Sequence, residues 1–425
     1  MNVVDVAEMF TEWAEDGGDE KQIVIAFRIL PKEMSADVFS YLDSDIQQKI
    51  VETISDKELG EILDELFMDD TVDFIEEMPA NIVKRVIKVS SAEDRKLINQ
   101  LLMYPEDSAG SLMTTEYMKV DDEWTVGYAI KKIRQQVEDK ESIVNMFVTD
   151  ESRHLVGWLK LRDLLTAQDE DMVKDLIETE IISVQTHVEQ EEVAEMFKKY
   201  DLVSMPVVDN EGRLVGIITI DDIVDVMEEE TTEDIYKMAA MEPIEDGYME
   251  TGVFTLAKKR IVWLMVLMIS ATFTGMIIQN FDAVLSSNII LSSFIPMLMD
   301  TSGNAGSQTS VSVIRGIVLG EVEFSDIFKV IWKEFRVSLI VGIGISLFNF
   351  LRIALFYKDL VIAFVVAITL FCAIVAAKFV GCVLPIVATK LKLDPALMAS
   401  PMITTIVDAV SLLVYFNVAA AFLPL

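Results

Sequence analysis

Cysteine is nearly absent, with only Cys372 and Cys382 among 425 residues. Both fall on one apolar stretch expected to be helical, where ten residues separate them by ~15 Å, too far for a disulfide. They are read as packing residues. The first eight residues lack the basic start and apolar core of a signal peptide, so the soluble part is expected to remain in the cytoplasm. Neither a nucleophile-base pairing nor a phosphate-cradling loop is found, which argues against an enzyme. Basic side chains are also few: 35 against 70 acidic ones leave a formal net charge of -35. Such a surface repels nucleic-acid phosphates and anionic lipid but attracts divalent cations.

The acid is unevenly placed. Residues 1–257 carry 61 of the 70 acidic and 23 of the 35 basic side chains, whereas the remainder has 9 acidic and 12 basic. A strongly acidic soluble half thus precedes a nearly neutral, apolar one. Five stretches of spanning length follow Arg260, at about 261–280, 289–319, 337–356, 361–389 and 395–422. Lys258, Lys259 and Arg260, then Arg315, Lys329, Lys333 and Arg336, then Lys390 and Lys392 flank alternate ends. By the positive-inside rule those ends face the cytoplasm, and an odd number of spans leaves the C-terminus outside.

The second stretch is interrupted by Asp300-Thr301-Ser302-Gly303-Asn304-Ala305-Gly306-Ser307-Gln308-Thr309-Ser310, a polar break between two apolar half-segments. Polar groups and irregular backbone at membrane depth are tolerated where protein or a water-filled cavity satisfies them, so the break points to a path for a hydrophilic solute. Three ionisable residues fall well inside the spans, away from their ends, each costing ~2.5–3.5 kcal/mol at a helix centre on insertion scales. Asp408, near the middle of the fifth span, is read as a pore carboxylate in preference to one neutralised by a proton or a basic partner. Asp300 is either a pore group or the cap of a half-helix that follows. Lys378 opposes cation passage unless it turns away or pairs with a carboxylate, and a structural pairing is expected.

In the soluble half, residues 145–165 and 204–224 superpose at a constant offset of 59: Asn145-Met146-Phe147-Val148-Thr149-Asp150 matches Ser204-Met205-Pro206-Val207-Val208-Asp209, and Leu155-Val156-Gly157 matches Leu214-Val215-Gly216. Each copy reads as helix, strand, acidic turn, strand and a helix opened by Asp163 or by Asp221-Asp222. These residues resemble a tandem of CBS domains, regulatory pairs that often bind adenosine nucleotides. The resemblance implies Asp163, Thr219 and Asp222 as nucleotide-binding residues, with ATP as the ligand. Lys160 stands where the second copy has Thr219, and helix capping explains the aspartates equally well. Residues 20–104 read as short amphipathic helices starting near Pro31, Ser55 and Pro79, a helical superhelix. Asp69, Asp70 and Asp73 share one face within a turn. A solvated acidic face and a set of metal sites both account for such clusters.

The order of parts, with the Asn304-Ala305-Gly306-Ser307-Gln308 segment and the stretch from Pro401 to Asp408, is similar to the MgtE family of magnesium channels and transporters across almost the whole chain. The fold class expected is a multidomain membrane protein: a cytosolic α-helical superhelix (1–111), an α/β tandem CBS pair (112–173 and 174–230), a connecting helix (231–257) and a five-helix transmembrane domain (258–425). The resemblance implies a homodimer in the cell (inner) membrane, its pore between second and fifth spans, with Asp408 facing hydrated Mg²⁺. Asp300, Asn304, Ser307, Gln308, Ser400, Pro401 and Thr404 would line it. Closure by cytosolic Mg²⁺ is implied at Asp37, Asp69 and Asp73, at Glu191, Asp201, Asp222 and Asp225, and at Glu230, Glu233 and Asp234. Two departures from the family pattern are Ser302, commonly glycine, and Lys378, where a lysine is lacking. The alternatives are a transporter of Mn²⁺ or Co²⁺, which accept the same oxygen ligands, and a membrane-anchored nucleotide sensor without transport.

Overall fold

The computed structural model describes residues 2–15, 17–137, 140–244, 247–249 and 251–423. It divides into two compact units, 1–228 and 229–425.

The first unit begins with eight short helices: α1 (Val3–Glu15), α2 (Glu20–Phe27), α3 (Lys32–Ser40), α4 (Ser44–Thr53), α5 (Asp56–Leu63), α6 (Met68–Glu77), α7 (Ala80–Val89) and α8 (Ala92–Leu101). Their starts follow from local chemistry. Pro31 and Pro79 precede α3 and α7, and Ser55 and Ser91 open α5 and α8 with reciprocal capping boxes to Glu58 and Asp94. Their apolar faces meet in one core, threaded by edge-to-face contacts from Phe10 to Phe27, Phe39 and Phe74. Arg85 bonds the Val51 and Ile54 carbonyls at the end of α4 and pairs with Asp56 at 2.8 Å.

The repeats follow. β1 (Lys119–Asp121) runs parallel to β2 (Asn145–Thr149), which pairs antiparallel with β3 (Leu155–Lys160); α9 (Val126–Gln136) and α10 (Leu161–Thr166) flank them. The second copy repeats this with β4 (Val184–Gln185), α11 (Gln190–Tyr200), β5 (Ser204–Val208), β6 (Leu214–Thr219) and α12 (Ile220–Met238). Asn145 opposes Lys160 as Ser204 opposes Thr219, so the offset of 59 in sequence is an offset in register. Gly157 and Gly216 are matched for a physical reason. A Cβ at Gly157 would come within 2.9 Å of Ile177, and one at Gly216 within 2.7 Å of the Thr114 carbonyl, because a crossing segment hydrogen-bonds to each hairpin there.

The second unit holds α13 (Val253–Asn280), α14 (Asp282–Ser287), α15 (Ile295–Val318), α16 (Ile327–Tyr357), α17 (Leu360–Lys390) and α18 (Ser400–Phe422). Among the described residues four helical segments, containing α13, α16, α17 and α18, are long and apolar enough to cross a membrane; α15 is long enough but too polar to qualify on composition. Two expectations are corrected here. The polar stretch 300–310 does not break the chain: α15 is continuous through it, with Asp300 inside the helix and so not capping a half-helix. Hydroxyls bond back along the helix, Ser302 to the Leu298 carbonyl at 2.6 Å and Ser312 to that of Gln308 at 2.8 Å, which keeps polar side chains compatible with it. The connecting helix expected over 231–257 is divided: α12 ends at Met238, α13 begins at Val253, and the described residues between are not helical.

Candidate cation path and acidic clusters

Within α15, Ser302, Gly303, Ala305, Gly306, Thr309 and Ser310 are buried, while Asp300, Asn304 and Gln308, four residues apart, form an exposed polar stripe. Small residues let α15 approach its neighbours. A Cβ at Gly381 of α17 would stand 2.4 Å from the Gly306 carbonyl, and one at Gly303 would lie 3.1 Å from Thr404 and 3.8 Å from Asp408 of α18. Ser411 donates to the Ser302 hydroxyl at 2.7 Å, and Ser310 to the Met398 carbonyl at 2.7 Å. Ser302, which departs from the glycine expected by resemblance, is therefore used in helix packing. Asp408 and Thr404 are half-buried beside Gly303, and Pro401 opens α18. Ser307 is partly buried between Gly306 and Gln308; the side chain of Ser400 lies outside the described residues.

Lys378 does not neutralise Asp300 or Asp408. The residue is 6% exposed, and its ammonium bonds Thr309 Oγ1 of α15 at 2.9 Å and Glu334 Oε2 of α16 at 3.3 Å; Thr309 donates to the same carboxylate oxygen at 3.1 Å. The expected pairing exists, with a carboxylate that the sequence did not mark. Glu334 sits between Lys333 and Arg336, where charge reads as a cytoplasmic flank, and only packing brings it beside α17. Among the described residues no basic side chain makes an ion pair with Asp408.

In the first unit, α6 and the start of α12 bring carboxylates together. Asp69 is buried and its Oδ1 has no hydrogen-bond partner. Burial first, then Asp70 and Asp222, holds its pKa well above the usual range. Burial followed by Asp222 and Glu116 pushes Asp70 to about 6. For Asp222 burial outweighs the bond from the Thr219 hydroxyl at 2.7 Å, and Asp221 adds to a pKa of about 6. Glu141 rises to about 7 through burial, Asp221 and Asp222. Asp37 adds to the shift of Asp70 and Asp225 to that of Asp222, while Asp73 is itself raised to about 7 by burial first and then by Asp70. Glu116 and Glu141, which carried no signal in their own neighbourhoods, complete the cluster. Among the described residues no three His, Cys, Asp or Glu side chains close tightly enough to enclose a bare metal ion. The donor set suits an ion that keeps its water.

The other named residues separate. Glu191 opens α11 and Asp201 caps its far end at φ 51°, ten residues and about 15 Å apart, so one ion does not bridge them. Asp201 instead borders a cleft of about 450 Å³ with Asn145, Trp158, Lys160 and Tyr200. Thr219 and Asp222 belong to the carboxylate cluster, and Asp163 accepts from the Lys160 backbone as a helix cap. In the second unit Lys237 bonds Glu233 at 2.6 Å and Asp394 at 2.7 Å. Burial opposes its charge, but these bonds prevail and raise its pKa. Asp234 is pushed to about 6 by burial and then Asp394, with Glu230 and Glu233 adding.

Residues 295–418 match the family model of MgtE, a divalent cation transporter; residues 1–107 match the MgtE intracellular N domain, and 109–170 and 173–229 match CBS domains. The magnesium transporter MgtE of Thermus thermophilus is 35% identical over 97% of this chain and 92% of its own length. The chain belongs to the MgtE family. Among solved structures, the soluble part of a magnesium transporter is 28% identical over 54% of this MgtE chain and 89% of that chain, with a TM-score of 0.50. The cytosolic domain of the Mg²⁺ channel MgtE in complex with ATP is 35% identical over 52% and 93%, with a TM-score of 0.49. The MgtE family is one of transporters and not of enzymes, and its apolar spans make this a multi-pass membrane protein. A helical N domain, a CBS pair and a helical membrane region are its parts.

Proposed function

We propose that this protein conducts Mg²⁺ across the cell membrane along a path walled by α15 and α18 of two copies, with Asp408 as the carboxylate that meets the ion. The observation that carries this is the stripe of Asp300, Asn304 and Gln308 left exposed on a helix whose opposite face is packed against α17 and α18 beside Asp408. Facing lipid, those side chains would be costly; facing the same stripe of a second copy, they line water. Mg²⁺ releases its hydration shell reluctantly, so carboxylates and amides that bond its waters suit it better than a dry cage. Basic flanks orient the soluble half and its N-terminus to the cytoplasm and the C-terminus outward.

The path closes, in this proposal, when cytosolic Mg²⁺ fills the cluster of Asp37, Asp69, Asp73, Asp222 and Asp225 and the connector group of Glu230, Glu233 and Asp234. Two like charges 6 Å apart repel by ~3 kcal/mol at an effective dielectric of 20, so cation binding supplies a sizeable bias. One helix, α12, carries carboxylates of both groups. The cleft beside Lys160 and Trp158 is proposed to take an adenosine nucleotide such as ATP: an aromatic face for a base and an ammonium for phosphate line it.

Mg²⁺ entry into proteoliposomes tests the path. Asp408→Ala should abolish it. Entry equal to that of the parent chain would show a membrane-anchored sensor and not a conduit, and faster entry of Mn²⁺ or Co²⁺ would move the cargo. Asp69→Ala and Asp234→Ala should leave the open probability less responsive to cytosolic Mg²⁺; unchanged responses in both would remove the proposed sensor.

A further inference from the structure

The Lys378–Glu334 pair, with Lys378 buried and Glu334 partly so, is a charge pair in the membrane helices that the proposed path does not use. It is joined by Thr309, so that α15, α16 and α17 each contribute one member. The Thr309 hydroxyl is bonded on both sides, accepting from the ammonium and donating to the carboxylate. The pair also lines a largely apolar cavity of about 940 Å³ formed by α16, α17 and Val410 of α18.

Elsewhere α15 is tied by the Ser302–Ser411 and Ser310–Met398 hydrogen bonds, and Val313 clusters with Cys382 and Ile386 of α17. Gly303 and Gly306 on α15, with Ala377 and Gly381 on α17, allow close approach, and the Thr309 link is the one that ties α15 to charged groups of both α16 and α17. Thr309 follows Gln308 directly, about 100° around the helix. Whatever holds Thr309 also aims Gln308, and with it Asn304 and Asp300 on the same stripe.

We propose that Thr309, Glu334 and Lys378 form a clasp that sets the rotation of α15 about its own axis, making Lys378 and Glu334 positioning residues for ion passage and ion choice. The ammonium is held by Glu334 and Thr309 about 9 Å along the helix from Gly303, the residue that faces Asp408. It therefore acts through the orientation of the polar stripe and not by touching the ion. Such a role presupposes that α15 and α18 wall the path.

The test uses the full chain in proteoliposomes, with Mg²⁺ and Mn²⁺ entry measured per folded molecule and folding followed by size-exclusion chromatography. Thr309→Val keeps both charges paired but removes the link to α15, while Lys378→Met removes the cation. Each should lower Mg²⁺ entry about tenfold and draw the Mg²⁺/Mn²⁺ ratio toward one, the scale of coupling expected between groups in one network. Lys378→Arg should retain both, and the exchange of Lys378→Glu with Glu334→Lys should recover most of what either single change loses. Parental entry and ratio in Thr309→Val and Lys378→Met would overturn the clasp, as would an exchange that recovers nothing. Should Lys378→Met fail to fold, Thr309→Val decides alone. Asp408→Asn, run alongside, keeps the two proposals apart: its loss of entry with parental Thr309→Val and Lys378→Met removes only the clasp, whereas parental entry in Asp408→Asn removes the path.

Discussion

Both units bury charge, in opposite ways. In the membrane unit Lys378 and Glu334 are hidden together, and each answers the other. In the soluble unit Asp69, Asp70, Asp222 and Glu141 are gathered with one sign, and Asp69 Oδ1 is left without a partner. A closed pair is complete as the chain folds. A like-charge cluster is relieved from outside, by protons or by cations.

The largest effect should come from opening the closed pair. Breaking a buried ion pair by removing one partner costs about 3–5 kcal/mol, so Lys378→Met or Glu334→Gln should lower the thermal unfolding temperature of the detergent-solubilised protein by several degrees. Removing both charges together should cost less than the sum. Strictly additive losses would show that the pair is not coupled and would erase the contrast between the units.

Next comes the pH response of the cluster. Asp70 and Asp222 rise to about 6 and Glu141 to about 7, so between about pH 4 and pH 7 the folded chain holds protons that the unfolded chain has released. Stability from these groups is therefore fullest at low pH and is lost as pH rises through their folded values. Unfolding of the full chain in chelator should show the cluster's contribution as the part of the pH slope that Asp70→Asn with Asp222→Asn removes. Mg²⁺ at pH 7.5 should restore what was lost. If Mg²⁺ stabilises the parent and the double variant equally, the cluster is not its site.

The smallest effect sharpens the comparison from outside. Lys57 and Glu61 pair at 3.5 Å on an exposed helical face, and Lys57→Ala should change stability by no more than about 0.5 kcal/mol, falling with salt. A larger loss would mean that exposure does not separate the charges that matter from those that do not.

Much of the architecture was legible because it rests on local or periodic signals. Pro31, Ser55 and Pro79 announced helix starts, the offset of 59 announced two copies of one fold, and long apolar runs announced membrane helices. The strands β1 and β4 were not foreseen, since three and two residues are too short to show alternation. The polarity of residues 300–310 is visible in the sequence and suggests a break in the backbone that the helix does not have. Hydroxyls that bond their own helix, and glycines that admit a neighbouring helix, let α15 run through it. The candidate site was legible only where its residues carry local signals. Asp408, Asp69 and Asp73 stood out by depth or by spacing along one helix, whereas Glu116, Glu141, Glu334 and Asp394 did not, because their partners lie far off in the chain.

By itself the sequence determined where polarity and charge fall along the chain: an acidic half, an apolar half, a duplicated α/β fold and a carboxylate inside an apolar span. Those follow from composition and period, which need no knowledge of which segments meet. Only the tertiary structure decided which charges are answered. Lys378 meets Glu334 and leaves Asp408 free of a basic partner among the described residues, and α6 meets α12 so that aspartates about 150 positions apart share one shell. Electrostatic energy depends on distance in space and on burial, and neither is written in the order of residues.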